Sequence, residues 1–355
     1  FMAAPAANHD QSLPRWRIEP MRPGQSLFII CELSQTHEGS LEIAKLLVKA
    51  AAKAGADAVK VQVFFAHELA VSGYRHFELF KQLEWREAQW TSLVECGHEN
   101  GLKVYADVFG TESLSMLLRI GIDGLKIHGT DMRNRPLLEA LSSADRPLLL
   151  SIGGGTLDEA MNALSILKNS ARKSPIVLMH GIQSYPTLVE HTNLGKMKYF
   201  KDKTGLPVGY ADHLAGDSPL DVALCAAAIG MGAVVIEKHI TVSRILNMED
   251  FESALSPDRF AVFVSRLREI ETALGTYSDA LIPVEEAYRQ STRKHVVTRR
   301  TISAGQVIHR DDVDLRRAEC DASPSDLEDV IGKRADRQYE VEEVLLTENL
   351  VDHTV

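Results

Sequence analysis

Tyr210-Ala-Asp-His213-Leu and Val235-Ile-Glu-Lys-His239 each place a histidine just past a short, β-rich apolar run, with the helix-like segment Pro219–Gly230 between them. In an alternating β/α chain that spacing brings the two imidazoles to neighbouring strand ends, at the mouth of a sheet. Two neutral imidazoles there suit a divalent transition metal, with positions left open for water or substrate. The plainer reading makes one a satisfied core histidine and the other a surface residue.

Outward from this unit the same alternation repeats. The strands predicted are Leu27–Cys31, Ala58–Phe64, Leu102–Val108, Gly124–Ile127, Pro147–Ser151, Pro175–His180, Pro207–Tyr210 and Ala233–Lys238. Helical patterns fall at Leu41–Lys53, Trp85–Glu99, Glu112–Arg119, Pro136–Leu141, Thr156–Lys168, Leu194–Lys203, Pro219–Gly230 and Pro257–Leu274, and Ala66–Leu83 reads as a polar excursion. The strands are continuously apolar, the type buried on both faces. Eight such units over Leu27–Leu274 predict a (β/α)8 TIM barrel, which typically takes about 250 residues.

Beyond it the composition changes. Residues 1–20 read as a disordered lead-in, 21–275 as the barrel, 276–292 as a polar linker and 293–355 as a small, mostly β domain. Its short strands are predicted at Lys294–Thr298, Thr301–Gln306, Val307–His309, Val313–Arg316 and Tyr339–Leu346.

The bulk numbers exclude several classes. A formal net charge of −10 over 355 residues argues against nucleic acid as the main partner. No apolar run is long enough for a membrane span, and the Ala-rich start does not read as a signal peptide. Cys31, Cys96, Cys225 and Cys320 are scattered without metal or disulfide spacing, which suits free thiols in a reducing cytoplasm.

Chemistry in such barrels gathers at the C-terminal strand ends. Glu32, Lys60 with Gln62, Asp107, Lys126 with Asp131, Ser151, Gln183, His213 and His239 fall there. Lys60 and Lys126 lie inside strands, where an unpaired ammonium is costly. Together they would form a positive pocket for a carboxylate or phosphate, or each would pair with a neighbouring carboxylate. One of them could also serve as a Schiff-base lysine in a metal-free aldolase. Ser151-Ile-Gly-Gly-Gly-Thr156 offers backbone N–H groups to an anion, and is also ordinary turn chemistry. Glu32 and Asp131 suit acid, base or sugar-hydroxyl roles, or helix capping. Arg317, within Leu315-Arg-Arg-Ala, reads by itself as a solvated charge.

With these residues in place, the chain resembles the sialic acid synthase family of N-acetylneuraminate, legionaminate and pseudaminate synthases. The matching stretches are Ile30-Cys-Glu-Leu-Ser-Gln-Thr-His-Glu-Gly39, Ala54-Gly-Ala-Asp-Ala-Val-Lys-Val-Gln62, Leu125-Lys-Ile, Leu150-Ser-Ile-Gly, Ser184-Tyr-Pro-Thr187, Val208-Gly-Tyr-Ala-Asp-His213 and Val235-Ile-Glu-Lys-His-Ile-Thr241. The tail, through Ile302-Ser-Ala-Gly-Gln-Val-Ile308 and Val330-Ile-Gly-Lys333, looks like that family's antifreeze-like (SAF) domain.

The resemblance implies condensation of phosphoenolpyruvate with the open-chain aldehyde of an N-acetylated amino sugar, giving a nine-carbon 2-keto acid and phosphate. It implies a domain-swapped homodimer. His213 and His239 would hold Mn²⁺, or Mg²⁺ or Co²⁺. Lys60, Lys126 and Ser151 would bind the anionic donor, and Glu32 and Asp131 would handle protons and water. Gln62, Tyr185 and Asp250 would touch the sugar, and Arg317 would arrive from the partner's SAF domain. Asp107, Gly129 and Ala211 stand where the family offers hydroxyl residues around the phosphate, and Gln183 replaces an Asn or Ser. Asn247-Met-Glu-Asp250 lacks the usual Gly-Pro-Asp turn. These departures keep open a metal-dependent aldolase or lyase with a non-phosphorylated donor such as pyruvate, and a non-catalytic sugar-binding relative.

Overall fold

A computed structural model describes residues 27–168, 173–276 and 278–352. The chain divides between Gly275 and Thr276 into two compact units. The predicted lead-in, residues 1–20, lies outside the described residues.

The first unit is a closed barrel of eight parallel strands in sequential order. They are β1 (Phe28–Ser34), β2 (Ala58–Val63), β3 (Lys103–Val108), β4 (Gly124–Ile127), β5 (Leu148–Ser151), β6 (Ile176–His180), β7 (Val208–Asp212) and β8 (Ala233–His239). β8 closes the ring on β1, with His239 beside Glu32. Helices follow each strand and form the outer layer.

The local chemistry explains the alternation. In the helix Leu41–Ala54, Ser40 caps the start by accepting the Ile43 N–H, and Gly55 ends it in the left-handed region at φ 85°. Ala44, Leu47, Val48 and Ala51 recur at helical spacing and bury against the barrel. A continuous apolar layer between strands and helices, including Ile29, Val59, Val104, Leu125, Leu150 and Leu178, supplies the main core.

Inside the ring a second cluster of Phe28, Ile30, Tyr105, Leu149, Val177, Met179 and Val235 plugs the barrel. Tyr105 lies so close over Gly124 that a Cβ there would come within 2.1 Å of its ring. One step further along the strands, the inward positions switch from apolar to charged. The plug is therefore the floor on which the chemical groups stand.

Two stretches differ from their sequence reading. The excursion after β2 holds two short helices, Ala66–Leu69 and Phe77–Leu83. The polar stretch 276–292 contains the helix Pro283–Thr292, opened by a proline at its first turn.

In the second unit β9 (Lys294–Thr298) pairs antiparallel with β10 (Val313–Arg317) over a core of Val296, Ile302, Ile308, Val313, Tyr339 and Leu345. The strands predicted at 301–309 and 339–346 reduce to single bridges, Ile302 with Tyr339, Val307 with Arg334 and Val344 with Val297. Gly305 at φ 77° and Glu342 at φ 68° turn the chain there, and a strand cannot run through such residues. Among the described residues no helix is long and apolar enough to cross a membrane. All four cysteines are free, with Cys31, Cys96 and Cys225 buried.

Candidate active site

Strand alternation aims Glu32, Lys60, Asp107, Lys126 and Glu237 into the barrel, at the C-terminal ends of β1, β2, β3, β4 and β8. All five are at most 5% exposed. Lys60 is ion-paired with Glu32 and Asp107, and its ammonium stands 3.6 Å from Glu237. Lys126 Nζ donates to Glu237 Oε1 at 2.7 Å. The two lysines face the axis as expected, yet they do not present a field of net positive charge. An incoming anion has to compete with Asp107 and Glu237 for them.

The charges settle each other. Burial pushes the Glu32 carboxyl up to about 8, with Glu237 and Asp107 adding to the rise and Lys60 opposing it. Asp107 and Glu237 are also penalised by burial, but the ammonium groups outweigh it and hold both below the usual carboxylate range. Glu32 is therefore the carboxyl of the three that takes up a proton most readily. Burial disfavours the Lys60 ammonium, but Asp107, Glu237 and Glu32 more than compensate and raise it well above its ordinary value. An ammonium held in this way by Asp107 is set against the Schiff-base reading for Lys60, since an amine nucleophile must lose its proton. Asp107 Oδ1 and Glu237 Oε2 are buried without a hydrogen-bond partner among the described residues.

Beside this cluster the two imidazoles come together, ring centroids 5.2 Å apart, with Tyr185 4.7 Å from His213. His213 Nδ1 donates to the Ile182 carbonyl at 2.7 Å. A carbonyl only accepts, so the proton sits on Nδ1 and Nε2 keeps its lone pair, as a metal ligand requires. His239 Nδ1 is buried without a hydrogen-bond partner among the described residues. Burial lowers His213 to about 4 and, together with His213 and nearby ammonium groups, lowers His239 well below its ordinary value. Two neutral imidazoles with orphaned nitrogen capacity fit a divalent cation. Among the described residues no group of three or more His, Cys, Asp or Glu gathers in metal-holding geometry. Water or substrate would complete the sphere.

A second ion pair lies behind the histidines. Asp212 and Lys238 precede them on adjacent strands, face the helix layer and are wholly buried. Lys238 Nζ donates to Asp212 Oδ2 at 2.7 Å and to the Leu214 carbonyl at 3.2 Å. Asp212 Oδ1 accepts from the Leu214 N–H and the Tyr210 hydroxyl, each at 3.1 Å. The pair thus clasps the backbone on both sides of His213 to the residue before His239.

The β4–β7 side of the mouth is built from backbone. A Cβ on Gly129 would sit 2.5 Å from the Gly153 carbonyl oxygen, one on Gly153 2.0 Å from that of Gly181, and one on Gly181 2.8 Å from that of Ala211. No hydroxyl side chain fits at Gly129 for that reason. Ser151 is buried at the end of β5 on this side, and Gln183 accepts the Tyr185 hydroxyl at 2.6 Å.

On the other side, Gln62 lies two residues past Lys60 and shares its face. The Asp250 carboxylate is engaged by the Ser34 hydroxyl and, at 3.4 Å, by the Gln35 N–H. Asp131 accepts from Asn134 Nδ2 at 2.9 Å, and Asn134 caps the helix Arg135–Ser142. Asp131 therefore caps no helix itself; it holds the side chain of the residue that does. Arg317 ends β10 in the second unit and is exposed. Glu237 and Gln35 were not singled out from sequence. Glu237 was accessible, because strand alternation puts it on the same face as His239.

A cavity of about 870 Å³ also lies in the second unit, lined by Glu286, Arg293, His295, Glu319 and Cys320 among others. It gathers no comparable set of paired charges.

A parallel barrel with converging acids, ammonium groups and paired imidazoles at its C-terminal rim defines a barrel enzyme. Residues 47–279 match the NeuB family and residues 293–351 the SAF domain. The chain belongs to the NeuB family. It is 31% identical over 350 residues to the N,N'-diacetyllegionaminic acid synthase of Legionella pneumophila, covering 94% of this chain and 97% of that one. It is 26% identical over 339 residues to a pseudaminic acid synthase of Campylobacter jejuni, covering 90% and 96%. The N-acetylneuraminic acid synthetase of Leptospira borgpetersenii, solved with citrate, superposes with a TM-score of 0.69 at 32% identity, covering 76% of this chain and 93% of that one.

Proposed function

We propose that this chain condenses phosphoenolpyruvate with the open-chain aldehyde of an N-acylated amino sugar, giving a nine-carbon 2-keto-3-deoxy acid and phosphate. The observation that carries the reading is the pair of neutral imidazoles beside the buried Lys60–Glu32–Asp107–Lys126–Glu237 cluster. The family relationship supports it. His213 and His239 would hold Mn²⁺ or a similar ion, which supplies polarisation of the aldehyde oxygen.

The chain's own residues do the rest. Lys60 and Lys126 exchange part of their carboxylate pairing for the donor's anionic groups, with Ser151 beside them. As C3 of the enol bonds to the aldehyde carbon, the aldehyde oxygen must gain one proton, and Glu32, whose carboxyl burial makes the easiest of the three to protonate, would deliver it. Water then adds to C2 and loses both its protons, one to a base, for which Glu237 Oε2 has no partner among the described residues, and one with the departing phosphate as the C2 carbonyl forms. Gln62, Tyr185 and Asp250 line the acceptor side. A homodimer in which the partner's SAF domain delivers Arg317, working in a reducing cytoplasm, belongs to the same reading.

Phosphate release from phosphoenolpyruvate should require both an N-acetylated aldose and Mn²⁺, and vanish in His213→Ala. No release with any amino sugar tested would overturn the proposal.

The Lys60–Asp107 pair favours a second reading, a metal-dependent aldolase with an unphosphorylated donor such as pyruvate. Displacing a carboxylate already in place costs on the order of 1–3 kcal/mol per lost contact. Calorimetry decides: a micromolar dissociation constant for phosphoenolpyruvate rules this reading out.

A further inference from the structure

Gln35 follows β1 directly and its backbone N–H donates to Ser34 Oγ at 2.5 Å. Its side chain crosses to β2, where Nε2 donates to Gln62 Oε1 at 3.2 Å. Gln62 shares the inward face of Lys60, so the Gln35 carboxamide lies over the mouth of the barrel. The residue is only 9% exposed, yet its Oε1 is buried with no hydrogen-bond partner among the described residues. Ser34 at φ 48° and Asp250 at φ 59° fix the backbone around it in left-handed conformations, joined through the Ser34 hydroxyl. A buried carbonyl oxygen left unsatisfied is unfavourable in the free protein and is repaired when a ligand supplies a donor.

We propose that Gln35 is a specificity-determining residue whose Oε1 accepts a hydrogen bond from the acceptor sugar. The inference rests on the synthase reading above. A carbonyl oxygen can only accept, so its ligand must donate. Ionised phosphoenolpyruvate offers acceptors alone and does not match. An amino sugar offers hydroxyl groups and an acylamino N–H, and either satisfies the site.

The test measures phosphate release by the full-length wild type and Gln35→Met, with phosphoenolpyruvate, Mn²⁺ and either N-acetylmannosamine or mannose. Met keeps the volume and removes the acceptor. Loss of one buried hydrogen bond predicts a rise of about tenfold in the sugar's KM, with the KM of phosphoenolpyruvate moving less than about twofold. A rise confined to N-acetylmannosamine places the contact on the acylamino N–H; a rise for both sugars places it on a hydroxyl. An unchanged sugar KM, or a parallel rise in both substrates' KM, overturns the inference while the synthase reading stands. A wild type silent toward every aldose overturns that reading and this inference with it. Gln35→Asn, shorter by one methylene, serves if the Met variant fails to fold; a sugar KM equal to wild type there also overturns the inference.

Discussion

Replacing Lys238 with Met removes one half of an ion pair in which both side chains are wholly buried. The aliphatic volume stays, so no cavity forms, and the loss is electrostatic. Asp212 then keeps the Leu214 N–H and Tyr210 hydroxyl on Oδ1, but Oδ2 faces no cation. Breaking a buried pair from one side costs about 3–5 kcal/mol, and the two surviving donors put the expected loss near the lower end, about 3 kcal/mol. Against a typical total of about 5–15 kcal/mol that is a large fraction. Urea denaturation followed by the fluorescence of Trp85 and Trp90, both buried in the barrel unit, reads it out. Lys198→Met is the control: its partner Asp202 is 57% exposed, and surface pairs contribute roughly 0–1 kcal/mol. The clasp also sets the separation of the histidines, so Mn²⁺ affinity followed by electron paramagnetic resonance should fall about 10–100-fold in Lys238→Met and not in Lys198→Met. A Lys238→Met barrel within about 1 kcal/mol of wild type would refute the reasoning.

Three further outcomes follow from the site. Asp107→Ser frees Lys60 from one carboxylate and should tighten phosphoenolpyruvate binding about tenfold in calorimetry, each contact being worth about 1–3 kcal/mol; weaker binding would show that Asp107 helps hold the donor. Gly153→Ala drives a Cβ to 2.0 Å from a carbonyl oxygen and should destabilise the barrel by about 1–3 kcal/mol in thermal unfolding, whereas an unchanged midpoint would mean that the rim yields. Burial lowers His37 to about 4 from an ordinary 6.5, and its Nδ1 accepts the Gly39 N–H, which requires the neutral ring. The unfolded chain takes up that proton below pH 6.5 and the folded one does not. The stabilisation is therefore complete above pH 6.5 and declines toward pH 4, by about 3 kcal/mol in all. His37→Gln should flatten that decline in urea titrations run across the window.

Much of this architecture was legible because buried parallel strands leave a local signature. All eight barrel strands fall within a few residues of their apolar runs, since both faces of each are covered. The histidine pair was equally accessible, because one crossover connects His213 to His239. The lysines show where that reasoning stops. Lys126 and its partner Glu237 are 111 residues apart, and only closure of the ring brings β4 opposite β8. Spacing along the chain cannot say whether an inward ammonium awaits a ligand or already has a partner. The second unit was overread for a related reason: Ile302, Val307 and Tyr339 sit in β-like sequence, but single bridges between sharp turns hold them. Gln35 was missed because its significance lies in an oxygen without a partner, which sequence does not record.

The glycine rim divides the mouth into two unequal halves. Along β4–β7 the wall is main chain packed on main chain, with no room for a methyl group at Gly129, Gly153 or Gly181. Those three positions have nothing to vary, so the main-chain part of that half is chemically frozen. Drift toward a new substrate must be written in side chains instead, in those that follow β1, β2 and β8 and in Gln183 and Tyr185 after β6, and mutational libraries confined to those four loops should recover nearly all the specificity changes this barrel can make.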